Sequence, residues 1–304
     1  MGRKMLSSFK KDWQLWIMIL PALAYIIILC YGPMYGIQLA FRKYDFSKGL
    51  TGGDWVGLTY FLQYFKSPMF GTTLRNTFVI SFFSLVCGFP VPILLALVIN
   101  SLRQKKLKRV VQTAVYIPYF ISTVVMVSIL QILFSPTTGV VSNLLKETHL
   151  ISQSVNLLGT PEAFVPVYVL SGIWQSAGWN SIIFIAALSS VDSQLYDAAR
   201  VDGASRFKQV IHVELPALVP TIIILLIMNM GRVLNVGFEK VFLMQNDMNI
   251  SVSEVISTYV FNIGVKSGQF SLGSAVGLFN TLVNFVFLMI ANVISKKSAD
   301  ISLM

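Results

Sequence analysis

The chain has 304 residues and a formal net charge of +10, yet only 12% of its residues are charged and 55% are hydrophobic. An ordinary soluble domain is about 25% charged, so this composition argues against a soluble protein, and a mean hydropathy of +0.71 agrees. The basic residues sit between apolar runs without an aromatic-rich basic patch, which argues against a nucleic-acid partner and makes the charge a matter of membrane topology.

A membrane span needs about 20 apolar residues. Six such runs are legible, near residues 14–40, 76–100, 111–134, 164–188, 216–236 and 271–294. The expected organisation is a cytoplasmic segment 1–13, one six-helix transmembrane domain over 14–294 and a cytoplasmic tail 295–304. The first run is too long for the apolar core of a cleavable signal and reads as a retained helix. Pro21, Gly32, Pro33, Gly36, Pro118 and Gly231 fall within runs, where membrane bundles tolerate them if neighbours satisfy the freed backbone groups. Cys30 and Cys87 also lie within runs and read as small hydrophobes.

Between the spans, Thr51 to Asp54 and Ser135 to Gly139 have turn chemistry. Arg103, Lys105, Lys106, Lys108 and Arg109 read as a stop signal at the cytoplasmic face, and His149 as a solvated residue of an outer loop. Residues 253–263 have the pattern of a short amphipathic helix on the outer surface. With the N-terminus inside, the inner segments carry 14 Lys and Arg in about 60 residues, against 8 in about 98 outside.

The loop 189–215 differs from the others. Asp192 suits the N-cap of a short helix, Gly203 a left-handed turn at its end, and Ser205 the cap of a second short helix. Pro216 then suits the first turn of span five. Such a helix–turn–helix, anchored at both ends in membrane helices, can transmit a push. The small residues Ala198 and Ala199 let another protein approach closely.

Asp197, Ala198 and Ala199, then Asp202, Gly203 and Ala204, then Val213, Leu215 and Pro216 resemble the EAA loop of binding-protein-dependent ABC importer permeases. The family spacing is kept, with Asp197 in place of Glu and Val213 in place of Ile. Trp55 to Leu58, Pro118 to Ser122, Asn235 to Glu239, and Phe270 with Ser271 look closest to the LplB-like subgroup, related to maltose and glycerol-phosphate permeases. The resemblance covers the whole chain. It implies an all-α permease of the type I importer fold in a bacterial cell membrane, with both termini cytoplasmic. It implies that Asp197, Ala198, Ala199, Asp202, Gly203, Ala204, Phe207, Leu215 and Pro216 form the coupling element that docks on an ATPase. It further implies two ATPase subunits, a second homologous permease (a heterodimer is expected), an extracellular solute-binding lipoprotein and a sugar or oligosaccharide cargo. The chain has no Gly-x-x-x-x-Gly-Lys-[Ser/Thr] run. ATP and magnesium are therefore expected on the partner ATPase, with no cofactor, metal site or catalytic residue here.

Polar groups inside spans are costly and default to function. Arg232 leaves three placements open: facing a cavity, snorkelling to the outer surface, or buried in an ion pair. It also hints at an acidic sugar such as a uronate. On span four, Gln175 and Trp179 share a face, with Ser176 and Asn180 nearby. Aromatic faces stack on sugar rings and amides bond their hydroxyls, although Trp also serves interfacial belts and Gln glues helices. By the resemblance, Ser176, Trp179 and Asn229 match sugar-contacting positions of the maltose-type permease. The expected solute contacts are Gln175, Ser176, Trp179, Asn229 and Arg232, with Tyr116, Tyr119, Asn280 and Asn284 as weaker candidates. His212 reads as structural or docking. A permease for a non-sugar solute is one alternative. An ion-coupled carrier is another, disfavoured because the acidic residues fall in or near loops. A membrane enzyme would need a catalytic cluster that does not emerge.

Overall fold

The computed structural model describes residues 13–50, 52–102, 104–148 and 156–299. The expectations for the N-terminal segment 1–12, Thr51, Arg103, His149 and the end of the tail, 300–304, lie outside the described residues. The chain divides into two compact units, one formed by Met1–Lys66 with Val260–Phe279, the other by Ser67–Tyr259 with Asn280–Met304.

The first unit opens with α1, Trp13–Phe41, whose most apolar window has no buried residue. It passes from α-helix through a π-helical stretch, Ile26–Tyr31, to a 3-10 end, Tyr35–Phe41. The loop that follows leads to α2, Thr59–Lys66. Trp55 stacks on Phe41 at 5.5 Å, and Gly57 has φ +58, which excludes most other residues. Ser271 donates to the Arg42 carbonyl at 2.6 Å and accepts the Tyr44 N–H at 3.0 Å. The Trp55 to Leu58 and Phe270–Ser271 stretches thus hold this loop in shape. Ala40, Phe61 and Ala275 form the unit's small core.

In the second unit, Ser67 caps α3, Pro68–Ser101, by accepting the Met69 N–H at 3.0 Å. α4, Lys105–Phe120, and α5, Thr123–Leu133, meet at a 96° bend. The expected third span, 111–134, is therefore a broken helix. Pro118 lacks a backbone N–H, and Ser122 starts the new helix by capping Val125 at 3.3 Å. After α6, Val140–Glu147, comes α7, Pro161–Ser189, a 29-residue helix of about 43 Å. α8 is Ser193–Val201 and α9 is Arg206–Met230. α10, Phe238–Met244, precedes the short pieces α11, Ile250–Ser253, and α12, Ile256–Val260. α13, Phe270–Ala299, runs on from the first unit into the second.

Three expectations change. The helix that carries the fifth apolar run begins at Arg206, not 216, because the second short helix expected after Gly203 continues into it through a π-helical stretch, Val210–Glu214. It ends at Met230, so Arg232 lies in a turn beyond the helix rather than within it. The segment 253–263 is not one surface amphipathic helix: it breaks after Ser253, and Val255, Ile256 and Thr258 are buried.

Among the described residues, α1, α3, α9 and α13 are long and apolar enough to cross a membrane, and the bent α4–α5 pair makes a fifth span if counted as one. α7 has the length but not the apolarity. Its polar residues Ser171, Gln175, Ser176 and Asn180 have a use described below.

α7 packs along α3, and its two ends sit in separate cores. Phe164, Tyr168 and Val169 join Ile80, Val127, Leu130 and Val241 at one end. Phe184 and Leu188 join Ala96, Leu97 and Leu218 at the other. α7 also meets α4 backbone to backbone, because a Cβ at Gly178 would fall 1.9 Å from the Val115 carbonyl oxygen. Gly178→Ala is thus expected to lower the melting temperature of the detergent-solubilised protein, by at least the roughly 1–3 kcal/mol typical of overpacking. Gly71→Ala, whose Cβ meets open space, is expected to be neutral or to stabilise by up to about 1 kcal/mol.

Candidate functional site

Two features emerge in the second unit: an exposed helix–turn element and a cavity. The exposed element is α8 and the turn after it. Asp192 caps α8 by accepting the Gln194 N–H at 2.9 Å. At the other end Gly203 has φ +70. The Ala204 N–H reaches the Ala199 carbonyl at 2.8 Å and the Gly203 N–H reaches that of Arg200 at 3.0 Å. This pair of bonds is a Schellman closure, which places glycine at the left-handed position. Ser205 then caps α9 through the Lys208 N–H at 3.4 Å.

Asp197 pairs with Arg200 at 2.9 Å on the exposed face. Ala198, Asp202 and Gly203 are exposed, and Ala199 and Ala204 are half-buried. Phe207 is 72% exposed and Val201 87%. Both are large apolar side chains on the outer side of this element. Val201 and Leu195, also exposed, were not singled out from the sequence. Their signal was the mismatch between apolar residues and an otherwise polar loop. Leu215 and Pro216 lie inside α9, with Pro216 in the first turn after the π-helical stretch. His212 keeps a local contact from Nδ1 to the Lys208 carbonyl at 2.9 Å.

What holds this element to the bundle is Glu214. It is fully buried, and its Oε1 accepts from Arg206 Nη2 at 2.6 Å, Asn100 Nδ2 at 2.8 Å and Tyr196 Oη at 3.2 Å. Arg206 also donates to Ser101 Oγ at 3.1 and 3.2 Å. One carboxylate therefore ties α8, the start of α9 and the end of α3 together. Burial raises the Tyr196 pKa, and the Glu214 carboxylate beside it adds to the rise. Motif spacing alone did not show this hub.

The cavity lies between the two cores and has a volume of about 1000 Å³. All five solute-contact residues expected from the sequence, Gln175, Ser176, Trp179, Asn229 and Arg232, line it. Several are already engaged. Gln175 donates to the Ile121 carbonyl at 2.7 Å, bracing the α4–α5 bend. Ser176 and Asn229 bond back to their own helices, to Gly172 and Leu225 at 2.8 Å. Trp179 stacks on Tyr119 at 4.6 Å, nearly coplanar. The polar residues of α7 thus face a space, which is why this helix is less apolar than the others.

The weaker candidates divide. Tyr116, Tyr119, Asn280 and Asn284 are not among the cavity's lining residues. Asn280 and Asn284 donate to Asn235 Oδ1 at 3.2 and 3.0 Å, and Asn284 Oδ1 accepts the Leu234 N–H at 2.9 Å. They hold the irregular segment 231–237 against α13. Sequence reading missed Lys240, which it assigned to an outer loop. Lys240 is buried on the cavity wall. Its Nζ donates to the Tyr168 carbonyl at 2.8 Å and lies 4.6 Å from the Tyr168 ring centre. Burial in this short helix pushes its pKa down to about 8. A lysine within Phe238 to Met244, otherwise largely apolar, was the available signal.

Residues 88–299 match the family model described as binding-protein-dependent transport system inner membrane component. The chain belongs to this family. It is similar to Protein LplB of Bacillus subtilis, 40% identical over 97% of this chain and 92% of that protein. It is also similar to the polygalacturonan/rhamnogalacturonan transport system permease YteP of the same organism, 41% identical over 98% and 92%. Among solved structures it resembles a chain of a bacterial ABC transporter involved in the import of the acidic polysaccharide alginate, with a TM-score of 0.88 and 38% identity over 97% of this chain and 99% of that one. That transporter has also been solved in complex with an alginate pentasaccharide-bound periplasmic protein. The chain is therefore a membrane component of a binding-protein-dependent ABC importer, a transport subunit rather than an enzyme.

Breaking the Glu214–Arg206 pair from one side leaves a buried carboxylate with too few donors. Arg206→Ala is expected to destabilise the protein by about 1–3 kcal/mol, whereas an apolar replacement of both partners, Arg206→Met with Glu214→Leu, recovers most of that loss. Thermal melts of the single and double variants check this.

Proposed function

We propose that the chain is the translocating subunit of an ATP-driven oligosaccharide importer that works by alternating access. The observation that carries this reading is a mechanical one. The exposed α8 and its glycine turn are tied through buried Glu214 to α3 and α9, and both helices line the cavity. A load applied at Phe207 or Val201 therefore has a hydrogen-bonded route to helices that line the cavity.

The reading includes the partners of such an importer. Two ATPase subunits bind ATP and magnesium and dock on the turn around Gly203. A second, related permease supplies the other half of the pathway, in a heterodimer. An extracellular binding lipoprotein delivers the cargo. The chain sits in a bacterial cell membrane with both termini cytoplasmic, which puts its basic excess inside. The cargo is a sugar chain, supported by two polysaccharide-importing relatives and by a cavity that combines Trp179 with amides and hydroxyls.

Reconstitution in proteoliposomes with the partner permease, the ATPases and the binding protein tests the reading. ATP-dependent uptake of an oligosaccharide is expected. A side chain at Gly203 must adopt left-handed backbone, at a cost of roughly 1–2 kcal/mol, on the surface that docks. Gly203→Glu is therefore expected to abolish ATP-coupled uptake while the complex still purifies as a folded species. Uptake that persists without ATP, or that Gly203→Glu leaves unchanged, overturns the coupling mechanism.

A further inference from the structure

The cavity wall has an unbalanced charge. Arg232 and Lys240 both line it, and no Asp or Glu does so among the described residues. Lys240 is held by neutral groups, the carbonyl and ring of Tyr168. An ammonium has three donors, and the carbonyl uses one. The Arg232 side chain has no ion pair or hydrogen bond among the described residues, and its backbone N–H bonds the Asn229 carbonyl at 3.0 Å. A buried cation ordinarily pairs with an acid. Lys240 is buried and Arg232 exposed, both on the cavity wall, and no acid of that wall pairs with either.

Local geometry fixes both cations at the cavity wall. The segment 231–237 leaves helical structure after Met230 and runs irregularly along the cavity, which is where membrane proteins tolerate irregular backbone. Asn284 and Asn280 fix it from behind through Leu234 and Asn235. On the facing helix Gly172 has no side chain, and a Cβ there would lie 3.3 Å from Lys240 Nζ. Glycine there lets the ammonium lie close against α7.

We propose that Arg232 and Lys240 form an anion-binding pair that makes this pathway select sugar chains bearing carboxylates. The proposal rests on the oligosaccharide reading and narrows it. Amides and Trp179 engage the ring and hydroxyls, which neutral sugars also carry. The two cations engage the carboxylates, which neutral sugars lack.

Equilibrium binding to the solubilised importer complex, without its binding protein, tests the pair and keeps the delivery protein's selectivity out of the measurement. The probes are a uronic-acid oligosaccharide and the same chain with its carboxyls reduced to alcohols. The complex is expected to bind the acidic chain more tightly. Lys240→Gln and Arg232→Gln are each expected to weaken acidic binding about tenfold and to bring the two probes' affinities together. Lys240→Arg and Arg232→Lys, which keep the charge, are expected to restore the preference. A complex that binds both probes equally, or Gln variants that keep the preference, overturns the pair. So does a complex that binds neither probe yet takes up the acidic chain with ATP in proteoliposomes. Absence of uptake for any sugar chain would overturn the oligosaccharide reading as well.

Discussion

Within a bilayer there is no water to satisfy a backbone amide, so each N–H and C=O must find its partner inside the protein. Helices meet that demand segment by segment, and the long elements of this chain follow from it. The same demand limits where the backbone is allowed to depart from helix. The bend at Ile121 and Ser122 is one such place, where Gln175 reaches across to the Ile121 carbonyl. The segment 231–237 is the other, held by two asparagines of α13. Both depend on amide side chains for what the helix no longer supplies.

Cost and use coincide at these breaks. The residues that repair or accompany them, Gln175, Asn235 and Arg232, are also on the cavity wall. A pathway for a polar solute needs polar surface, and such surface is tolerated in lipid only where neighbouring protein or water meets it. The cores on either side lie around Phe164 and Tyr168 at one end of α7 and Phe184 and Leu188 at the other.

The exposed helix–turn around Gly203 obeys a different economy. Its outer surface leaves Val201 and Phe207 in the open. Its inner side concentrates bonds on one carboxylate. A buried ion pair adds little net stability, but removing one partner is costly. Glu214 ties α8, α9 and α3 together in one hydrogen-bonded arrangement.

Much of this was legible in the sequence. The apolar runs, the caps at Asp192 and Ser205 and the turn at Gly203 are local properties, set by composition and by residues a few positions apart, and the structure places them where the pattern indicated. The spacing from Asp197 to Pro216 was sufficient to point to the family. Grouping Gln175, Ser176 and Trp179 was also within reach, because a single helix brings them to one side. Tertiary structure alone decided the rest. The α4–α5 bend, the run of α9 back to Arg206, the exit of Arg232 from its helix and the Glu214 hub all depend on contacts between residues far apart in the chain. Lys240 is the sharpest case. In sequence it is one basic residue in a loop. In the fold it is a buried cation, because α7 carries the Tyr168 carbonyl to it across 72 residues.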